Sequence, residues 1–159
     1  MAISFVIFVA TIVMTKADTS KIDFAKADRE FLQGTWVPVA MAENSKVMTM
    51  DQYTREVTDD RLQRITFSGD TCFVETHEPD ETIRIEKSRF TLDPTHRPKR
   101  IDIFRGDEIY HAIYSMSPHE LRICVRSGGG PPPAAFQTKG EPDVGLCILK
   151  RQKAHESRH

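Results

Sequence analysis

The sequence predicts an all-β protein: an eight-stranded antiparallel up-and-down barrel preceded by a short N-terminal helix. Three observations lead there. Beyond Gly34 the chain breaks into short runs of alternating polarity separated by turn residues. Three of those turns are short enough to fix the pairing of their flanks, and each pairing gathers apolar residues on one face. About eight such runs, joined in series, must hide that face, and closing the sheet on itself also removes its exposed edges.

The elements follow in chain order. Residues 1–14 (MAISFVIFVATIVM) carry no charge and are almost continuously apolar. The run falls short of the roughly 20 residues that a membrane-spanning helix needs. It fits the hydrophobic region of a signal peptide, with small residues at Thr15 and Ala17 suiting cleavage before Asp18. No Lys or Arg precedes it, so a buried first strand or an N-terminal anchor remains the competing reading. The expectation is export to the periplasm or the exterior, with residues 1–17 removed and no stable membrane insertion afterwards. No cysteine follows the run to carry a lipid.

Lys26–Leu32 has helix-forming residues, and Gly34 is placed to stop the helix just past Gln33. The expected strands are Thr35–Ala42, Leu62–Ser68, Thr71–Thr76, Thr82–Leu92, Arg100–Phe104, Glu108–Met116, Leu121–Arg126 and Gly145–Arg151. Met50–Asp60 reads as a short helix or a long loop over one barrel end. Gly128–Pro133 (GGGPPP) cannot join a ladder and is expected to be a mobile loop. The barrel domain spans 26–151, and 152–159 is expected to be a disordered basic tail.

Register follows from the turns. Gly69-Asp70 sets Phe67 opposite Cys72 and Ile65 opposite Val74. The loop Arg105–Glu108 sets Ile103 opposite Tyr110 and Ile101 opposite Ala112, while Ser117–Glu120 sets Met116 opposite Leu121 and Tyr114 opposite Ile123. Slipping any pairing by one residue would turn its apolar set to water, so the pattern constrains register strongly. Eight strands leave an interior either filled by side chains or holding one small ligand.

Composition narrows the function. With 22 Lys+Arg against 23 Asp+Glu, the net charge of −1 gives no basic face for nucleic acid. Three cysteines with no CxxC pair suggest neither a disulfide scaffold nor a zinc or redox motif.

Leu32-Gln33-Gly34-Thr35-Trp36 resembles the Gly-x-Trp opening of lipocalin-like (calycin) barrels, which also follows a short helical turn. Ile65–Asp70, Phe90–Asp102, Ile113-Tyr114, Leu121–Cys124, Pro131–Phe136 and Leu146–Arg151 extend the likeness over about residues 30–151. Together they resemble a lipocalin-like family found chiefly in planctomycete bacteria, mostly in predicted exported proteins with no assigned activity. Met48–Arg61 is longer and more polar than that pattern. The resemblance implies a barrel and brings no catalytic residues. It also implies that a basic residue ending the last strand stacks on the Trp36 indole near Gly34. Lys150 or Arg151 would match, and Arg151 is preferred because a guanidinium stacks better on an aromatic face.

Of the groups able to carry chemistry, Tyr110 and Tyr114 fall on the inner face. They either orient a ligand in an apolar pocket or bury their rings and bond a carbonyl or water. The histidines of the barrel region lack short metal-ligand spacing, His155 and His159 lie in the tail, and His111 should point outward. Asp59-Asp60, Asp80-Glu81 and Asp107-Glu108 sit at loops or strand edges, where solvating roles are expected over acid–base work. If Cys124 and Cys147 share the outer face, a disulfide between them becomes geometrically possible, and export would permit it. Cys72 would then be a buried free thiol. The expectation is a monomeric, non-enzymatic protein without cofactor or metal, binding a small apolar or amphipathic ligand; a packed structural or protein-interaction module is the alternative.

Overall fold

The computed structural model describes residues 23–56, 61–80 and 82–153. Helix α1 (Phe24–Leu32) leads into β1 (Gly34–Glu43), then β2 (Lys46–Thr49), α2 (Met50–Glu56), β3 (Arg61–Ser68) and β4 (Thr71–His77). There follow β5 (Ile83–Asp93), β6 (Lys99–Arg105), β7 (Glu108–Met116), β8 (Glu120–Arg126) and β9 (Val144–Arg151). Sequential antiparallel pairing runs from β3 to β9, and β1 pairs with both β3 and β9. The result is a closed eight-stranded antiparallel up-and-down barrel of β1 and β3–β9.

The hairpin registers match the turn arithmetic: Phe67 faces Cys72, Ile103 faces Tyr110, and Tyr114 faces Ile123. The sequence did not announce β2. Asn44 and Ser45, with φ of 47° and 71°, make a two-residue turn of the kind that matches strand twist. Through it β2 takes the edge of β1 at Ala40–Glu43, whereas β3 pairs only with Gly34–Trp36. The segment at 50–60 begins as α2, which buries Tyr53; residues 57–60 lie outside the described ones. So do the expected leader at 1–17 and all but residues 152 and 153 of the tail.

Helix α1 closes one end. The Asp23 carboxylate caps it by accepting from the Lys26 amide at 3.0 Å. Its last residue, Leu32, is fully buried, and the Trp36 indole donates to the Leu32 carbonyl at 2.8 Å. The Gln33 side chain then ties the helix end to the β3–β4 turn, donating to the Gly69 carbonyl and accepting from the Gly69 amide at 2.7 Å. Above α1 lies a solid layer of Trp36, Phe67, Phe90, Ile101, Leu121 and Leu149. Phe67 and Phe90 meet edge to face with centroids 5.2 Å apart. Fully burying such side chains contributes about 1.5–3 kcal/mol each, so this end anchors the fold.

In the 127–143 segment Gly128–Pro131 are exposed, while the remainder is tied to the barrel. It forms a strap bound down along the outside wall of β7–β9. Phe136 packs on Ile113, Cys124 and Val144, making a second apolar cluster outside the barrel. Buried Thr138 accepts from the Ser45 amide at 2.9 Å, tying the strap to the β1–β2 turn. At the strap's ends Arg126 holds both Asp143 oxygens at 2.7 and 2.9 Å and Glu141 at 2.7 Å.

Candidate ligand-binding cavity

Inward-facing side chains stack in layers along the barrel axis. Below is the packed layer on α1. One inward position further along each strand, the side chains stop filling the space, and a cavity of about 460 Å³ opens at the end opposite α1. Its apolar wall comes mainly from Leu62, Ile65, Val74, Ile103, Ile123 and Val125. Each lies one inward step beyond a core residue or at the rim, which follows from the period of two along a strand.

The rim is polar. Glu43, Glu86, Arg105, Ser127 and Asp143 line the opening. Arg105 pairs with Glu86 across the gap between β5 and β6. The Arg126 guanidinium beside Asp143 holds that carboxyl below the usual carboxylate range. An apolar chamber with a few oriented polar groups is the usual make-up of a small-molecule site.

The structure separates the two inner phenols. Tyr110 lines the cavity, but its hydroxyl donates to Glu108 at 2.6 Å, and that bond, with partial burial, raises its pKa. Tyr114 stands at the closed end, buried, donating to Asp28 at 2.6 Å. Asp28 also accepts from Lys99 at 2.6 Å. Tyr114 is therefore not a cavity residue: its hydroxyl is spent on joining β7 to α1. Burial first, and Asp28 second, drive its pKa upward.

The proposed Cys124–Cys147 bridge is not made, because the two residues do not share a face. Cys147 pairs opposite Ile123, which puts it inside the barrel, where it lines the cavity. Cys124 pairs opposite Leu146 and points outward beneath the strap, its thiol 3.7 Å from the Ala135 carbonyl oxygen. All three thiols are free and buried. Burial pushes Cys147 up to about 12 and Cys72 up to about 11, so both are protonated and poorly nucleophilic near neutral pH.

Gly34, Trp36 and Arg151 meet at the closed end, where the Arg151 guanidinium lies over the indole. His111 points outward and pairs with Asp102 at 2.7 Å. Asp80 caps its own turn, accepting from the Thr82 amide and hydroxyl; Asp59, Asp60 and Glu81 lie outside the described residues. Among the described residues, no three of His, Cys, Asp and Glu gather as metal ligands. Sequence reasoning missed Ser88, Glu86 and Asp28. The signal for the first two was the alternation Glu86, Ser88, Phe90, Leu92 on β5, which puts all four inside. No short turn leads into β5 to fix that register from sequence.

A closed eight-stranded up-and-down barrel, sealed by a helix at one end and open at the other, defines a lipocalin-like fold. No protein-family model and no curated protein matches the chain. Among solved structures, lobster apocrustacyanin A1 aligns over 81% of this chain and 65% of its own, at 10% identity and a TM-score of 0.47. Apocrustacyanin C1 aligns over 80% of this chain and 64% of its own, at 11% identity and a TM-score of 0.44. The chain thus spans just under two thirds of each of these proteins.

Proposed function

We propose that this protein is a non-enzymatic binder of a small apolar or amphipathic molecule, held in the open half of the barrel. The single observation that carries the reading is the cavity of about 460 Å³ above a solid floor. It exceeds the roughly 300 Å³ at which small-molecule sites begin. Burial of a ligand's apolar surface against Ile65, Ile103 and Ile123 would drive association, and the rim would leave a polar end in water. Export and a monomeric state complete the proposal; export rests on the uncharged apolar run at 1–14.

Titration with the lipophilic dye N-phenylnaphthylamine tests it. Saturable fluorescence enhancement with one site per chain, together with a raised thermal midpoint, is the expected result. No enhancement, and no shift with a panel of lipophiles, would leave a packed structural or interaction module as the better reading.

A further inference from the structure

Apart from Tyr110, bonded to Glu108, and Ser127 at the rim, one further hydroxyl lies in the cavity wall. Ser88 faces inward on β5 between Glu86 at the rim and Phe90 in the packed layer, opposite Cys72 of β4. It is 5% exposed, and among the described residues its Oγ has no hydrogen-bond partner. The open cavity leaves this hydroxyl to water, and an apolar ligand that displaces the water leaves it without a partner unless the ligand itself supplies a hydrogen bond. The other polar side chains around the cavity are mostly committed: Tyr110 to Glu108, Arg105 to Glu86, and Asp143 to Arg126. Glu43 is the exception, a rim carboxylate with no ion-pair partner among the described residues.

Taking the cavity as a ligand site, as proposed above, we infer that Ser88 is its specificity-determining contact. The ligand it selects is an uncharged apolar skeleton carrying one hydroxyl or carbonyl group, bound with that group inward. A hydroxyl can donate or accept, so either partner satisfies it. Carboxylate ligands are disfavoured by depth and by charge. Carried inward, the anion would be desolvated against apolar walls; left at the rim, it would meet the unpaired Glu43 carboxylate, while the cations there are already engaged, Arg105 by Glu86 and Arg126 by Asp143.

The test compares naphthol, naphthalene and naphthoate, each displacing N-phenylnaphthylamine from the full chain near neutral pH. The expected result is naphthol binding about three- to tenfold tighter than naphthalene, the range one net hydrogen bond provides, with naphthoate weakest. With displacement constants corrected for the dye's own affinity for each variant, Ser88→Ala should bring naphthol down to the level of naphthalene while leaving naphthalene unchanged. Ser88→Thr, which keeps the hydroxyl, should preserve the preference. Equal binding of naphthol and naphthalene by the wild type, or an undiminished preference in Ser88→Ala, overturns the role of Ser88 while the cavity reading stands. Naphthoate binding as well as naphthol overturns the exclusion of anions. If neither the dye nor any of the three binds, the cavity reading falls, and this inference falls with it.

Discussion

The Arg151 guanidinium carbon lies 4.2 Å from the centre of the Trp36 indole, so the last strand closes over the first through a cation–π stack. The same group donates to the Gln33 carbonyl at 2.6 Å and the Phe31 carbonyl at 2.5 Å, which have no helical partner beyond the end of α1. One side chain thereby joins α1, β1 and β9. Gly34 makes room for it: at φ +105°, a Cβ there would sit 3.3 Å from Arg151 Nη1.

Replacing Arg151 by alanine is expected to destabilise the fold by about 2–3 kcal/mol, through lost charge-assisted hydrogen bonds and the stack. Lysine should recover only part, because it lacks the planar fork. Gly34→Ala should cost about 1–3 kcal/mol, since both its backbone angle and its space favour glycine. Urea midpoints of the three variants check the order.

Local turns made much of this barrel legible before any coordinates. Where two to four residues join two strands, opposed residues are fixed by counting, and Phe67–Cys72 and Met116–Leu121 followed directly. Where the connection is long, counting fails. The 127–143 strap decouples β9 from β8, so nothing in the sequence decided whether Cys147 faced in or out, and the disulfide proposal depended on that parity. The short β2 was hidden because Asn44-Ser45 is a turn signal inside a polar stretch without apolar alternation. Tyr114 was correctly placed inside, yet its partner Asp28 belongs to a helix whose docking no local pattern announces. The cavity itself depends on which inner positions are small or polar, and Ser88 could be assigned only once β5 had a register.

Phe136 is expected to control access to Cys124. The strap covers that thiol with Ala135 and Phe136, and Cys124 has no exposed surface in the native fold. Phe136→Ala should cost about 1–2 kcal/mol, less than a fully buried phenylalanine because the ring is only partly enclosed. It should also make one thiol per chain reactive toward a maleimide under native conditions, with Cys124 as the labelled residue by peptide mapping. Unchanged labelling would show that the strap does not shield it.

The buried phenol and thiols set the alkaline limit of stability. Unfolded thiols ionise near about pH 8.5 and tyrosine near about pH 10. In the fold, burial raises Cys72 to about 11 and Cys147 to about 12, and burial with the Asp28 bond raises Tyr114. Native pKa values above the unfolded ones mean that the native state holds more protons. The associated stability is complete below about pH 8.5 and is lost progressively as pH rises toward the native values. Urea unfolding under reducing conditions should therefore weaken steadily from about pH 8.5. Tyr114→Phe should cost about 1–2 kcal/mol near neutrality by removing the bond to Asp28, and should flatten only the part of the decline above about pH 10.

Filling the cavity should separate binding from folding. Ile103 faces the chamber one inward step above buried Ile101, so a larger side chain there has empty space to enter instead of packed neighbours. Overpacking a dense core costs about 1–3 kcal/mol, and Ile103→Trp should fall at or below the lower end of that range. The indole would occupy the space beside Ile123 and Ser88 and displace any ligand. Dye binding should drop at least tenfold while the circular dichroism spectrum and the cooperative unfolding transition are retained. The matched substitution in the packed layer, Ile101→Trp, has no such space and should unfold or strongly destabilise the protein. If both variants lose stability alike, the open half of the barrel is as full as the closed half and the chamber is not a binding space.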